Sequence, residues 1–142
     1  MKITFYGHAS VGIEVGGKHI LVDPFISANP LAENIDTTTL KADYILLTHA
    51  HGDHILDVEA IAKRTNAVIV SNAEIAGYYA AKGFQAHPMN HGGSWSFDFG
   101  KVKYVNAIHS SSFPDGTNGG NPGGFVIEGE HKNIYIAGDT AL

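Results

Sequence analysis

The segment THAHGDH, residues 48–54, sets His49, His51, Asp53 and His54 within six positions, directly behind the apolar run DYILL at 43–47. In an extended segment side chains alternate, so His49 and His51 project to the same side. Two imidazoles aimed together repel when protonated and can share one cation when neutral. Asp53 and His54 fall where the apolar spacing turns helical, and they approach the same pocket from another direction. A structural hydrogen-bond cluster is the competing reading. Three histidines and an aspartate at this spacing, entered from a buried strand, favour a metal site. The chain has no cysteine, so thiolate ligation and zinc-finger chemistry are excluded and the ligands must be nitrogen and oxygen. One metal rarely takes four ligands from so short a segment, whereas two neighbouring metals can divide them.

The elements that must position these groups are readable from pattern. KITFY (2–6) and SVGIEV (10–15) are rich in β-branched and aromatic residues and predict strands. Gly16-Gly17 supplies a two-residue hairpin turn, and KHILVDP returns as a strand stopped by Pro24. A loop with a Thr-rich segment follows to about Leu40. DYILL reads as a short buried strand. Ile55, Val58, Ile61 and Ala62 recur at helical spacing and predict one helix from near Asp53 to Asn66. AVIVS (67–71) is another strand, and residues 72–82 form a second helix with Asn72 as N-cap and Gly83 as stop. Strands follow around 95–99, 101–108, 123–128 and 133–137, with the loop SSSFPDGTNGGNPGG among them. The order predicts one α/β domain of the α+β type over residues 1–142. The Gly-rich loop is better read as a site loop than as a domain boundary.

THAHGDH entered from DYILL resembles the metal-binding motif of the metallo-β-lactamase fold hydrolases. YGHASVGIEVGGKHILVDPFISANP, ADYILLTHAHGDH, NAIHSSS and IYIAGDT, in that order, resemble the metal-dependent hydrolase subfamily labelled UPF0173, close to its ascorbate-phosphate lactonase-like branch. The resemblance implies an αβ/βα sandwich of which this chain is the N-terminal portion, with metals at the edge shared by two halves. It assigns His49, His51 and His109 to one metal, Asp53 and His54 to a second, and Asp139 to both. It further implies two divalent ions, zinc first and manganese or iron as alternatives, that activate water for attack on an ester, lactone or phosphoester-type bond. Asp53 is the expected catalytic proton carrier.

Within the family a further βα half carries the last histidine of the second metal, and this chain ends at Leu142. The expectation is an incomplete domain that leaves the inner face of a sheet open and associates, either with a second copy or with a complementary C-terminal chain. A non-catalytic metal-binding half that needs such a partner is the alternative function. A phosphodiesterase or nuclease of the same fold is another.

Asp23, ending ILVD, is expected to fix a histidine tautomer, with a plain turn residue before Pro24 as the other reading. His8 in YGHAS is expected to contact substrate and Thr48 to hold the loop. His91, in a glycine-flanked loop, is as well suited to the substrate side as to a plain surface position. His19, His87 and His131 read as ordinary surface or strand histidines. Ser110, Ser111 and Ser112 read as hydrogen-bonding partners around His109 rather than as nucleophiles. The net charge of −5, with no basic cluster, argues against nucleic acid and anionic membrane surfaces and for a small-molecule substrate. The opening residues alternate like a strand rather than a secretory signal, and no apolar run approaches membrane length, so a cytoplasmic protein is expected.

Overall fold

A computed structural model describes residues 1–142. Two sheets and three helices form three layers. The first sheet runs in order β1 (Lys2–Gly7), β2 (Ser10–Val15), β3 (Lys18–Val22), β4 (Tyr44–Leu46), β5 (Val68–Asn72) and β6 (Ala86–Met89). Its first three strands are antiparallel and the rest pair in parallel. The second sheet is antiparallel, in order β10 (Lys132–Ile136), β9 (Gly123–Gly129), β8 (Gly100–Asn106) and β7 (Ser94–Phe97).

Alternation explains the layering. Along β2 and β3, Ile13, Val15, Ile20 and Val22 face the second sheet, where Val102, Tyr104, Phe125 and Ile127 meet them. Leu21, Ile45 and Ile69 face the other way, into a core closed by Ile55, Val58, Ile61, Ile75 and Tyr79 of the helical layer. The inner face of the first sheet is therefore covered. The expectation that an incomplete sandwich leaves it open fails because β7–β10 lie within this chain and close the inter-sheet core. The outer face of the second sheet carries exposed Lys101, Lys103, Glu128 and Tyr135. No helix is long and apolar enough to cross a membrane.

Three local departures from the sequence reading have physical causes. The helix expected from Asp53 to Asn66 is two: α1 (Gly52–Ile55) and α2 (Val58–Thr65). Asp57 breaks it, because its N–H bonds to Pro24 O at 3.0 Å and its carboxylate accepts from the N–H groups of Ile26 at 2.7 Å and Ser27 at 2.9 Å. Strand β6, unassigned from sequence, contains Pro88 and survives because it lies at the sheet edge. Two 3-10 turns, Pro30–Ala32 and Thr37–Thr39, order the loop after β3. The third helix, α3 (Ala73–Ala81), has Asn72 as N-cap, its side chain accepting from Ile75 N. Gly83 (φ +89) turns the chain away beyond it.

Candidate metal centre

The site sits where strands of both sheets end on one rim. Beyond β4 the chain stays extended through Leu47, whose N–H bonds to Val70 O at 3.0 Å, and carries His49 and His51 outward before α1 starts at Gly52. His49 and His54 have no exposed surface. His109 and Asp139 lie three residues beyond β8 and β10. Their two extensions are joined by Ile108 N to Thr140 Oγ1 at 2.8 Å and Ala141 N to Ile108 O at 3.0 Å.

The atoms able to ligate a cation form two clusters. Those of His49, His51 and His109 lie within 4.8 Å of one another, and so do those of His8, Asp53 and His54. Asp139 Oδ2 stands between the clusters, 3.4 Å from His54 Nε2 and 3.7 Å from His109 Nε2. A third grouping joins Asp23 to His49 and His54, but the Asp23 oxygens are already engaged. Oδ1 accepts from Thr48 N at 2.8 Å, and Oδ2 accepts from Thr48 Oγ1 at 2.6 Å and His54 Nδ1 at 3.0 Å. Asp23 is thus committed to orienting Thr48 and His54.

These hydrogen bonds dictate tautomers. The Thr48 hydroxyl has one proton and gives it to Asp23, so its oxygen accepts from His49 Nδ1 at 3.0 Å. His49 is left with a lone pair on Nε2. In neutral His54 the proton on Nδ1 faces Asp23, and Nε2 holds a lone pair. That atom is buried and has no hydrogen-bond partner, which is costly unless something binds it. His51 presents Nδ1 to His49 Nε2 at 3.1 Å, while its Nε2 lies 3.2 Å from Ser110 Oγ. With the proton on Nε2, where Ser110 accepts it, His51 turns a second lone pair toward that of His49. Converging lone pairs, an orphaned buried nitrogen and a carboxylate between the clusters suit divalent cations held by imidazole and carboxylate.

Electrostatics separate the members. Burial, with His54 and His51 as charged neighbours, pushes the His49 pKa down to about 3, so it stays neutral and ready to ligate. Burial also opposes charge on His54, but the hydrogen bond and charge of Asp23, with Asp139 and Asp53, raise its pKa above the ordinary value. A cation there competes with a proton. Burial works against the Asp53 carboxylate, yet His54, its own backbone N–H, His8 and His51 outweigh it and hold the pKa below the usual carboxylate value.

The structure brings His49, His51, Asp53, His54, His109, Asp139, Asp23, Thr48 and His8 together. It does not bring His91, which bonds to Pro122 O at 2.9 Å and packs on Tyr104 in a separate polar cavity with Asn72, Glu74 and Asn121. The loop placing His91 is pinned by Gly92 N to Tyr104 O at 2.7 Å. The serines also differ from expectation: Ser110 meets His51, Ser111 accepts from Ala50 N and donates to Gly119 O, and Ser112 bridges to Asn118. His19 lies by Asp43, His87 against Trp95, and His131 in the β9–β10 turn.

Supporting residues were missed in the sequence. Ser10 is buried and clamps the strained turn at Asp23 (φ +42), donating to Asp23 O at 2.6 Å and accepting from Phe25 N at 2.9 Å. Tyr104 Oη donates to Thr48 O at 3.1 Å. Gly138 (φ +65) lies where an added Cβ would stand 2.7 Å from Thr48 Cβ. The glycine before Asp139 was the available signal. Gly138→Ala combines left-handed strain with a clash against Thr48, and we expect a loss of about 2–4 kcal/mol, read as a lower urea midpoint.

Residues 18–142 match the Beta-lactamase superfamily domain family. The chain belongs to that family, and its fold is the N-terminal portion of the metallo-β-lactamase sandwich. It is 86% identical over its whole length to a UPF0173 metal-dependent hydrolase of Flavobacterium johnsoniae and 73% identical to one of Christiangramia forsetii, covering 63% of each. Among solved structures it is similar to Igni18, a metallo hydrolase of Ignicoccus hospitalis, with a TM-score of 0.86, 37% identity, and coverage of 99% of this chain and 61% of that one. The chain thus spans less than two thirds of the length of these relatives.

Proposed function

We propose that the protein is a metal-dependent hydrolase with a two-cation centre acting on an ester, lactone or phosphoester-type bond of a small molecule. The observation that carries this reading is Asp139 Oδ2, set between the His54 of one cluster and the His109 of the other. His49, His51 and His109 would hold one cation, Asp53 and His54 the other, and Asp139 both. Zinc is the first candidate, and manganese or iron would suit the same donors. Divalent cations there would supply Lewis acidity, polarising a substrate oxygen and lowering the pKa of water toward neutrality.

The chain's own groups do the rest. Asp23 and Thr48 fix the His54 and His49 tautomers. Asp53, half exposed and ionised, is placed to take a proton from attacking water and return it to the leaving group. A cleft of about 360 Å³ opens beside the clusters, lined by His8, Val11, Tyr135, Ile136 and Asp139 among others. That volume suits a small molecule, and the acidic balance of the chain disfavours the nuclease reading.

The length of the relatives favours a second reading, in which this chain binds metal but turns over substrate only with a companion, a complementary C-terminal chain or a second copy. Exposed Ile3, Phe5 and Leu31 along the β1 edge offer such a companion an apolar surface. Elemental analysis of protein purified without added metal, its mass in solution, and hydrolysis of nitrophenyl ester, lactone and phosphodiester probes test both. Two metals per chain with turnover supports the hydrolase. Two metals without turnover supports the companion reading. Fewer than two metals defeats the two-cation centre.

A further inference from the structure

Resting on the two-cation reading, we propose that His8 is a ligand of the second cation, alongside Asp53, His54 and Asp139. The sequence suggested only substrate contact for this residue. Its imidazole instead lies inside the second cluster: Nε2 is 3.2 Å from Asp53 Oδ2, and the ligating atoms of His8, Asp53 and His54 fall within 4.8 Å of one another. The His8–Asp53 contact repeats in the second cluster what His49 and His51 do at 3.1 Å in the first. Each cluster then has three groups of its own, and Asp139 touches one member of each.

A separate observation points to a ligand here. His54 Nε2 is fully buried and unpartnered, while its Nδ1 is committed to Asp23. The His8 ring lies 4.9 Å from the His54 ring at an interplanar angle of 60°, and His8 and Asp139 line the same cleft. Asp139 Oδ2 lies 3.4 Å from that orphaned nitrogen.

The backbone holds His8 in this place. Its φ is +53, following Gly7 at +105, in a turn where the β1–β2 register shifts. A left-handed histidine is uncommon, and such residues gather at functional sites. Ser10, at the end of the same turn, is tied to Asp23 O and Phe25 N, and the Phe25 ring meets the edge of His8 at 5.7 Å. The loop that aims Asp23 at His54 therefore also aims His8.

The test is a cobalt(II) titration of the metal-free chain, followed by calorimetry and by the visible absorption of the bound ion. Wild type is expected to take two Co²⁺ per chain. His8→Gly, at ease at φ +53, should keep the first step at wild-type affinity and weaken the second by on the order of 100-fold or more, with loss of its absorption bands. His8→Asn also tolerates the left-handed backbone and decides the matter if the glycine variant does not fold; metal-free melting within a few degrees of wild type identifies the folded variant. A second step unchanged in affinity and spectrum, in either folded variant, overturns the assignment and leaves His8 to the substrate or to the orientation of Asp53. A wild type that takes only one Co²⁺ overturns the two-cation reading itself, and this inference with it.

Discussion

Asp23→Asn should cost about 3–5 kcal/mol of folding stability and weaken metal binding by about 10- to 100-fold, despite preserving the shape of the side chain. The Asp23 carboxylate is fully buried and accepts three hydrogen bonds, one from Thr48 N on Oδ1 and two from Thr48 Oγ1 and His54 Nδ1 on Oδ2. An amide has one accepting oxygen. With its NH₂ at the Oδ1 position it faces the Thr48 N–H, and both donors go unsatisfied. At the Oδ2 position it is satisfied only if the Thr48 hydroxyl turns to accept and His54 moves its proton to Nε2, which undoes both tautomers. Asparagine tolerates φ +42 better than most residues, so backbone strain does not explain the loss. Without the carboxylate, His54 is no longer obliged to keep its proton on Nδ1. Urea denaturation of the metal-free chain reads the first effect and cobalt binding the second. Stability and affinity both at wild-type level would mean that the hydrogen bonds to Asp23 do not fix the site.

Asp139→Asn should show the opposite pattern. Asp139 is partly exposed at 38% and lies beyond β10, so melting of the metal-free chain should shift little. Its Oδ2 lies 3.4 Å from His54 Nε2 and 3.7 Å from His109 Nε2, and on the two-cation reading removing its charge would leave the cations without a shared counter-ion. We expect loss of at least one cation per chain, and loss of hydrolysis by about three orders of magnitude in kcat/KM, about 4 kcal/mol. Metal content is the decisive reading. Two retained metals in the variant would remove Asp139 from its place between the clusters.

How far the sequence carried depended on whether the signal was local. The strands were readable because alternating β-branched residues face two different cores, and Asn72 announced the start of α3. The helix break at Asp57 was not, since its cause lies in the loop at Pro24–Ser27, far back in the chain. The open inner face was expected from family architecture, and the four strands that close it were already visible as β-rich segments. In the site, His49, His51, Asp53 and His54 declared themselves by spacing. His109 and Asp139 came only through resemblance, because each is a lone residue past a strand end. His91, in a glycine-flanked loop, and His8, at a strand end, were both candidates for the substrate side. Only tertiary structure separates them, one turned toward Tyr104 and the other toward Asp53.

The rim on which β1, β3, β4, β8 and β10 end has a thermodynamic consequence. The two clusters draw on residues from His8 to Asp139, so cations held there act as cross-links closing loops that span nearly the whole chain. Chain entropy makes such long-range clips more constraining on the unfolded state than local ones. Opening any one of those strands would release a ligand or, at β3, the Asp23 carboxylate that orients His54 and Thr48, which couples the two sheets into one cooperative unit. At a thousandfold excess over Kd, this linkage amounts to about 4 kcal/mol, so loss of metal would loosen the first turn of the chain and the last strand together.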